Sequence, residues 1–110
     1  MATPSRRPES CLWCGREVPD AGVGRRRRYC RQSCRQRAYE QRAAVKGTSI
    51  AVDSTVLTAA EAAAAMDRMF AVRCAAEDVA TAAAEGAHAN EIAELCDTLV
   101  HLARDAERLR

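Results

Sequence analysis

Four cysteines stand out for their spacing. Cys11 and Cys14 form a C-x2-C pair, and Cys30 and Cys34 form a C-x3-C pair after a gap of 15 residues. Two thiolates on a tight turn and two more at the start of a helix can converge on one cation. Such a set is the tetrahedral donor shell of structural zinc, closed on all sides and without a position for substrate. Gly15, directly after the first pair, can take the positive φ that a metal knuckle needs. Cys30 and Cys34 are expected to share one face of a first helical turn, where backbone N–H groups favour thiolate. Cys74 and Cys96 lack such spacing and read as small apolar residues of a helical core.

The gap between the pairs, "GREVPDAGVGRRRRY", has room for a β-hairpin, with Pro19-Asp20, Gly22 and Gly24 as turn formers. From about Gln32 a helix is expected. The C-x2-C-G knuckle, then "RRRRYC", then "CRQRAYEQR", together resemble the treble-clef zinc fingers of small bacterial proteins, in particular the CGNR type, whose second cysteine pair also opens a helix. The resemblance covers Cys11 to about Lys46. It implies Cys11, Cys14, Cys30 and Cys34 as zinc ligands, with the helix completing the clef. Where that family carries Gly-Asn-Arg, this chain has Arg35-Gln36-Arg37. Many such fingers bind nucleic acid and others bind proteins, so the fold alone does not choose.

Charge is divided along the chain. Up to Lys46 there are 12 Lys/Arg against 4 Asp/Glu, and from Gly47 onward 5 against 11, although the formal net charge is only +2. A zinc ion on four thiolates carries −2, so some arginine balances it and a surplus of basic charge remains. On a helix turning about 100° per residue, Arg31, Arg35, Arg42 and Lys46 fall on one stripe flanked by Tyr39. Cys34, Ala38 and Val45 then occupy the adjacent face. Arg25, Arg26, Arg27 and Arg28 lie just ahead of it, and Trp13 and Tyr29 offer rings that stack on bases or cover the small core. Phosphate contacts are expected from Arg25–Arg28, Arg31 and Lys46, with Arg35 and Arg42 better placed to reach a groove. DNA or RNA is therefore the expected partner. The rival reading is a protein-interaction adaptor with a structural zinc site.

The rest of the chain is rich in helix formers. Thr58-Ala59-Ala60-Glu61 is a capping box, Gly86 offers a bend, and Asn90 is available to cap a second helix. Met69, Val72, Ala76, Val79 and Ala83, and then Ile92, Leu95, Leu99, Leu102, Ala106 and Leu109, follow a three–four spacing. They predict a helical hairpin, with one long interrupted helix as the alternative. An alanine-rich hairpin buries little, so self-association as a homodimer is expected. His88 and His101 read as ordinary polar positions.

The expected organisation is a flexible tail (1–10), a treble-clef zinc finger (11–46), a linker (47–57) and a helical self-association segment (58–110). In fold class this is a small α+β finger of knuckle, β-hairpin and helix, followed by an all-α hairpin or coiled coil. Neither a secretory leader nor a membrane-length apolar run is visible, which points to the cytoplasm, where paired cysteines hold metal rather than disulfides. No nucleophile–base pair, phosphate loop or open metal site suggests an enzyme or a small-molecule substrate. The expectation is a DNA- or RNA-binding zinc protein, a small bacterial transcription-type regulator or nucleoid accessory.

Overall fold

The structure is a computed structural model and describes residues 7–19 and 24–110. The chain divides into two compact units, 1–56 and 57–110. Helix α1 (Gln32–Val45) belongs to the first; α2 (Ala59–Ala84) and α3 (Ala89–Ala106) form the second.

The first unit corrects the α+β expectation. Among the described residues it contains no strand, only an isolated antiparallel bridge between Ser10 and Glu17. No β-hairpin, and hence no treble clef, is formed by them. The physical reason lies in the sequence. Pro19 has no N–H for a ladder, and Arg25–Arg28 set like charges side by side with no apolar alternation to bury. The expected turn residues Asp20 and Gly22 lie outside the described residues. Local hydrogen bonding takes the ladder's place. Cys11 N–H donates to Arg16 C=O (2.7 Å), Val18 N–H to Glu9 C=O (2.9 Å) and Leu12 N–H to Arg28 C=O (2.9 Å).

Helix α1 starts at Gln32 after Arg31, whose extended backbone supplies no side-chain cap. Cys30 therefore precedes the helix and only Cys34 lies within it, a correction to the expectation of both sulfurs on one helical turn. Cys34, Ala38 and Val45 are the buried residues of α1, spaced along one face. Beyond the helix, Gln41 Nε2 donates to Ser54 C=O (3.0 Å), which ties the segment expected as a linker to α1.

In the second unit the capping box forms as read. Glu61 N–H donates to Thr58 Oγ1 (3.0 Å), and Thr58 N–H donates to Glu61 Oε1 (2.9 Å). Such a cap contributes about 1 kcal/mol. The backbone hydrogen bond from Thr58, aided by Arg110, holds the Glu61 carboxyl below its ordinary range. The box is thus fully effective above the usual carboxylate pKa of about 4.3 and weakens as pH falls through the lowered value.

Helix α2 ends in a Schellman motif. Gly86, at φ 70, lets its N–H reach Ala83 C=O while Ala87 N–H reaches Ala82 C=O. The expected cap at Asn90 is instead His88, whose Nδ1 accepts from Asn90 N–H (3.2 Å). The hairpin is antiparallel. At its open end Arg68 Nη2 donates to Arg108 C=O (3.0 Å), and Arg110 lies 3.6 Å from Glu61.

The residues of α3 with three–four spacing from Ile92 to Ala106, and Leu109 just beyond it, are half-buried, whereas the expected α2 seam is corrected. Ala65, Arg68, Val72, Ala75, Val79 and Ala82 are its half-buried or buried stripe, and Met69, Ala76 and Ala83 are exposed. Only Ala75 is buried in the whole unit. Cys74 and Cys96 are half-buried free thiols, and His101 is exposed. No described helix is long and apolar enough to cross a membrane.

Candidate metal centre

The knuckle brings the first two sulfurs together by backbone chemistry alone. Gly15 N–H closes onto Cys11 C=O (2.9 Å), with Gly15 at φ 79, a conformation that a side chain would strain. Leu12 N–H, bonded to Arg28 C=O, holds the knuckle against the segment that delivers Cys30. The start of α1 delivers Cys34. Cys11, Cys14 and Cys34 are buried and Cys30 is half-buried. Val18 completes the small core, with Trp13 and Tyr29 packed against it.

All four sulfurs lie within 4.8 Å of one another. Cys14 Sγ and Cys30 Sγ are 3.5 Å apart, and Cys30 Sγ and Cys34 Sγ 3.7 Å. A tetrahedron with Zn–S bonds of ~2.3 Å has edges of about 3.8 Å. None of the six cysteines is in a disulfide. The donor set thus fits a tetrahedral metal ion held by Cys11, Cys14, Cys30 and Cys34.

Electrostatics point the same way. Burial works against charge on Cys14, but hydrogen bonds from the Arg16 backbone and side chain, and then from Cys30 and Cys11, outweigh it and bring the thiol down to about 6. Burial, followed by hydrogen bonding to Cys30 and the charge of Cys11, pushes Cys34 up to about 12. Sulfurs this close cannot all ionise against one another. A divalent cation removes that conflict, because it binds each as thiolate. Arg31, fully exposed at the helix N-cap, has its guanidinium pKa raised by a hydrogen bond to Cys30 and then by the charges of Cys30 and Cys34.

The sequence reading does not single out Arg16, although a signal for it exists. A residue two beyond a knuckle cysteine lies within reach of the thiolate. Arg31 serves Cys30 in addition to lying on the expected basic stripe. Neither role belongs to the four-arginine run.

Arg25, Arg26, Arg27 and Arg28 are all exposed. Arg26 Nη1 pairs with Glu9 Oε1 at 3.2 Å, with both side chains about half exposed, a surface contact of little energetic weight. Arg25, Arg27, Arg28 and Arg35 make no ion pair with another described residue. Arg35, Arg42 and Lys46 are exposed along α1, and Tyr39 is 62% exposed. Arg42 Nη1 donates to Tyr29 Oη (3.2 Å), which sets the middle of α1 beside the end of the arginine run. Trp13 and Tyr29 are partly buried and pack against the cysteine cluster.

No protein-family model matches the chain, and neither the curated proteins nor the solved structures compared with it give a match. The resemblance to CGNR-type fingers is therefore limited to the cysteine spacing and its flanking residues. What the chain defines by itself is a four-cysteine candidate metal centre on a basic unit that is strand-free among its described residues.

Proposed function

We propose that the first unit is a zinc-stapled nucleic-acid-binding module, which binds DNA or RNA chiefly through phosphate. The observation that carries this reading is a division of labour among the arginines. Arg16 and Arg31 meet the thiolates, so the charge of Arg25–Arg28, Arg35, Arg42 and Lys46 is surplus to the metal centre and exposed. Guanidinium forks suit phosphate oxygens and stack on bases, and an exposed Tyr39 beside them adds a ring for an unpaired base. A rigid, metal-held platform supports such contacts at low entropic cost. By this reading the protein is a binding module of the transcription-regulator or nucleoid-accessory kind, in which zinc shapes the platform and performs no chemistry.

Fluorescence anisotropy of zinc-loaded protein with labelled duplex DNA and single-stranded RNA, across a salt series, tests it. Saturable binding with log K falling linearly against log salt, by about 0.9 per duplex phosphate contacted, is the expected result. No saturable binding at low salt to either probe contradicts it and leaves an acidic protein surface as the partner to pursue.

A further inference from the structure

We infer that the hairpin of α2 and α3 is one half of a four-helix bundle, completed by a second copy of this chain with α2 packed antiparallel on its own counterpart. The inference is independent of the nucleic-acid reading. It begins with an incompleteness. A unit of 54 residues with one buried side chain, Ala75, has almost no core with which to offset the entropy of ordering two helices. Another layer is needed, and the residues specify on which side.

Helix α2 carries two stripes of the same three–four spacing. The first, through Val72, Ala75 and Val79, meets α3. The second lies one residue further on, about 100° round the axis, and runs through Met66, Met69, Ala76, Ala80 and Ala83, with Arg73 at its middle. Every one of these is exposed, Met66 by 64% and Met69 by 54%, with Phe70 beside them at 57%. The same displacement on α3 gives Cys96, Val100 and Ala103, of which Val100 is 49% exposed. Both helices are right-handed and they run in opposite directions. One step forward along each therefore turns both second stripes to the same broad side of the hairpin. Two contact faces at about a right angle are what each helix of a square four-helix bundle presents to its two neighbours. The opposite side carries Asp67 and Asp78 of α2 and its C-cap Glu85, and Glu91, Glu94 and Asp105 of α3. It is acidic and suited to water.

The occupant follows from the order of residues along α2. The large side chains Met66, Met69 and Phe70 lie in its N-terminal half, and the small ones Ala76, Ala80, Ala83 and Ala84 in its C-terminal half. A two-fold axis across α2 near Ala75 lays the large half of each copy on the small half of the other. Met69 then faces the second copy's Ala80, and Met66 its Ala83, with Phe70 at the flank of the contact. A parallel stack would set methionine on methionine and leave alanine facing alanine across a void.

The charges are self-complementary in the same register. Arg73 lies 3.6 Å from Glu77 of its own helix and 5.0 Å from the Phe70 ring. The two-fold operation sets Arg73 opposite the second copy's Glu77, and Glu77 opposite its Arg73. A surface that complements itself in volume and in charge fits a second copy of the same chain.

Sedimentation velocity of the full zinc-loaded chain over a concentration series, without nucleic acid, tests the inference. The wild-type chain is expected to be a dimer, and Met66→Glu with Met69→Glu to shift it to monomer by at least ~10-fold in dissociation constant, since the interface then buries charge. These methionines are largely exposed in the single chain, so the helical circular dichroism of the variant reports that the hairpin persists. A wild-type chain that stays monomeric throughout overturns the proposal, as does a variant that keeps its helix and still dimerises like wild type.

The register has its own test. Arg73→Glu and Glu77→Arg are each expected to weaken the dimer several-fold. Mixed together, they should associate more tightly than either alone, because each variant's pair then meets its opposite charge. A mixture no tighter than the separate variants contradicts antiparallel α2-on-α2 packing.

Discussion

Withdrawal of the metal by a strong chelator should unfold the first unit and leave the second one helical. The expectation rests on what the first unit has besides the metal. Its buried side chains, among the described residues, are Cys11, Cys14, Val18, Cys34, Ala38 and Val45, with no leucine, isoleucine or phenylalanine in the set. Burial of so little apolar area is worth a few kcal/mol at ~25 cal/mol/Å², far below the entropic cost of ordering the chain. Structural zinc in finger peptides contributes ~10–16 kcal/mol near neutral pH, and that is folding free energy. Far-UV circular dichroism should lose the signal of α1, which supplies 14 helical residues against 26 and 18 in α2 and α3. Backbone amide NMR should show residues 9–19 and 24–45 collapsing to coil positions while those of 59–106 hold. Acid should act in the same direction, because protons compete with the metal for the thiolates and affinity falls as pH falls. Cys34→Ser should mimic the chelator, since it removes the one ligand that ties α1 to the knuckle. A first unit that keeps its dispersed amide spectrum in chelator would show that its fold does not depend on metal.

The second large effect concerns the arginine run. Changing Arg25, Arg26, Arg27 and Arg28 together to Gln should weaken nucleic-acid binding by roughly 100-fold or more at low salt. It should also flatten the salt dependence by roughly 3 in slope, the share of three to four phosphate contacts at about 0.9 each. The change is confined to exposed side chains. The hydrogen bond that Arg28 contributes to the knuckle comes from its backbone C=O, which glutamine also supplies. Metal content should therefore stay at the wild-type level, and its measurement separates lost contacts from lost fold. By contrast, Arg16→Gln should leave the salt slope nearly unchanged, because that side chain faces Cys14. An unchanged slope in the four-arginine variant would refute the assignment of the run to phosphate.

The parts legible in the sequence are those fixed by local chemistry. Ligand spacing is local, and the four cysteines converge within 4.8 Å. The Thr58–Glu61 box and the Gly86 bend are likewise set by neighbouring residues, and both form. Other features depend on pairings that the sequence leaves nearly degenerate. In α2, alanine fills so much of the surface that two apolar stripes one residue apart look alike. A seam through Met69, Val72, Ala76, Val79 and Ala83 merges residues from both. Burial separates them, with Val72 and Val79 turned to α3 and Met69, Ala76 and Ala83 exposed.

Loop length and turn formers permit a β-hairpin between the cysteine pairs but do not favour it without alternating apolar residues. At α3, Asn90 has the better cap propensity, yet His88 lies at the position where the chain leaves the bend, and its Nδ1 makes the bond. The role of Arg16 has a local signal in its place two residues beyond Cys14, but the hydrogen bond of its side chain to that thiol is fixed by the folded turn.

The central claim is that one metal ion on four thiolates organises the basic unit. Native mass spectrometry of the intact chain, purified without added metal and compared with Cys34→Ser, tests it most directly. The account predicts one zinc per wild-type chain and loss of stoichiometric metal in the variant. A metal-free wild-type chain, or one whose Cys11, Cys14, Cys30 and Cys34 are oxidised to two disulfides, would contradict it.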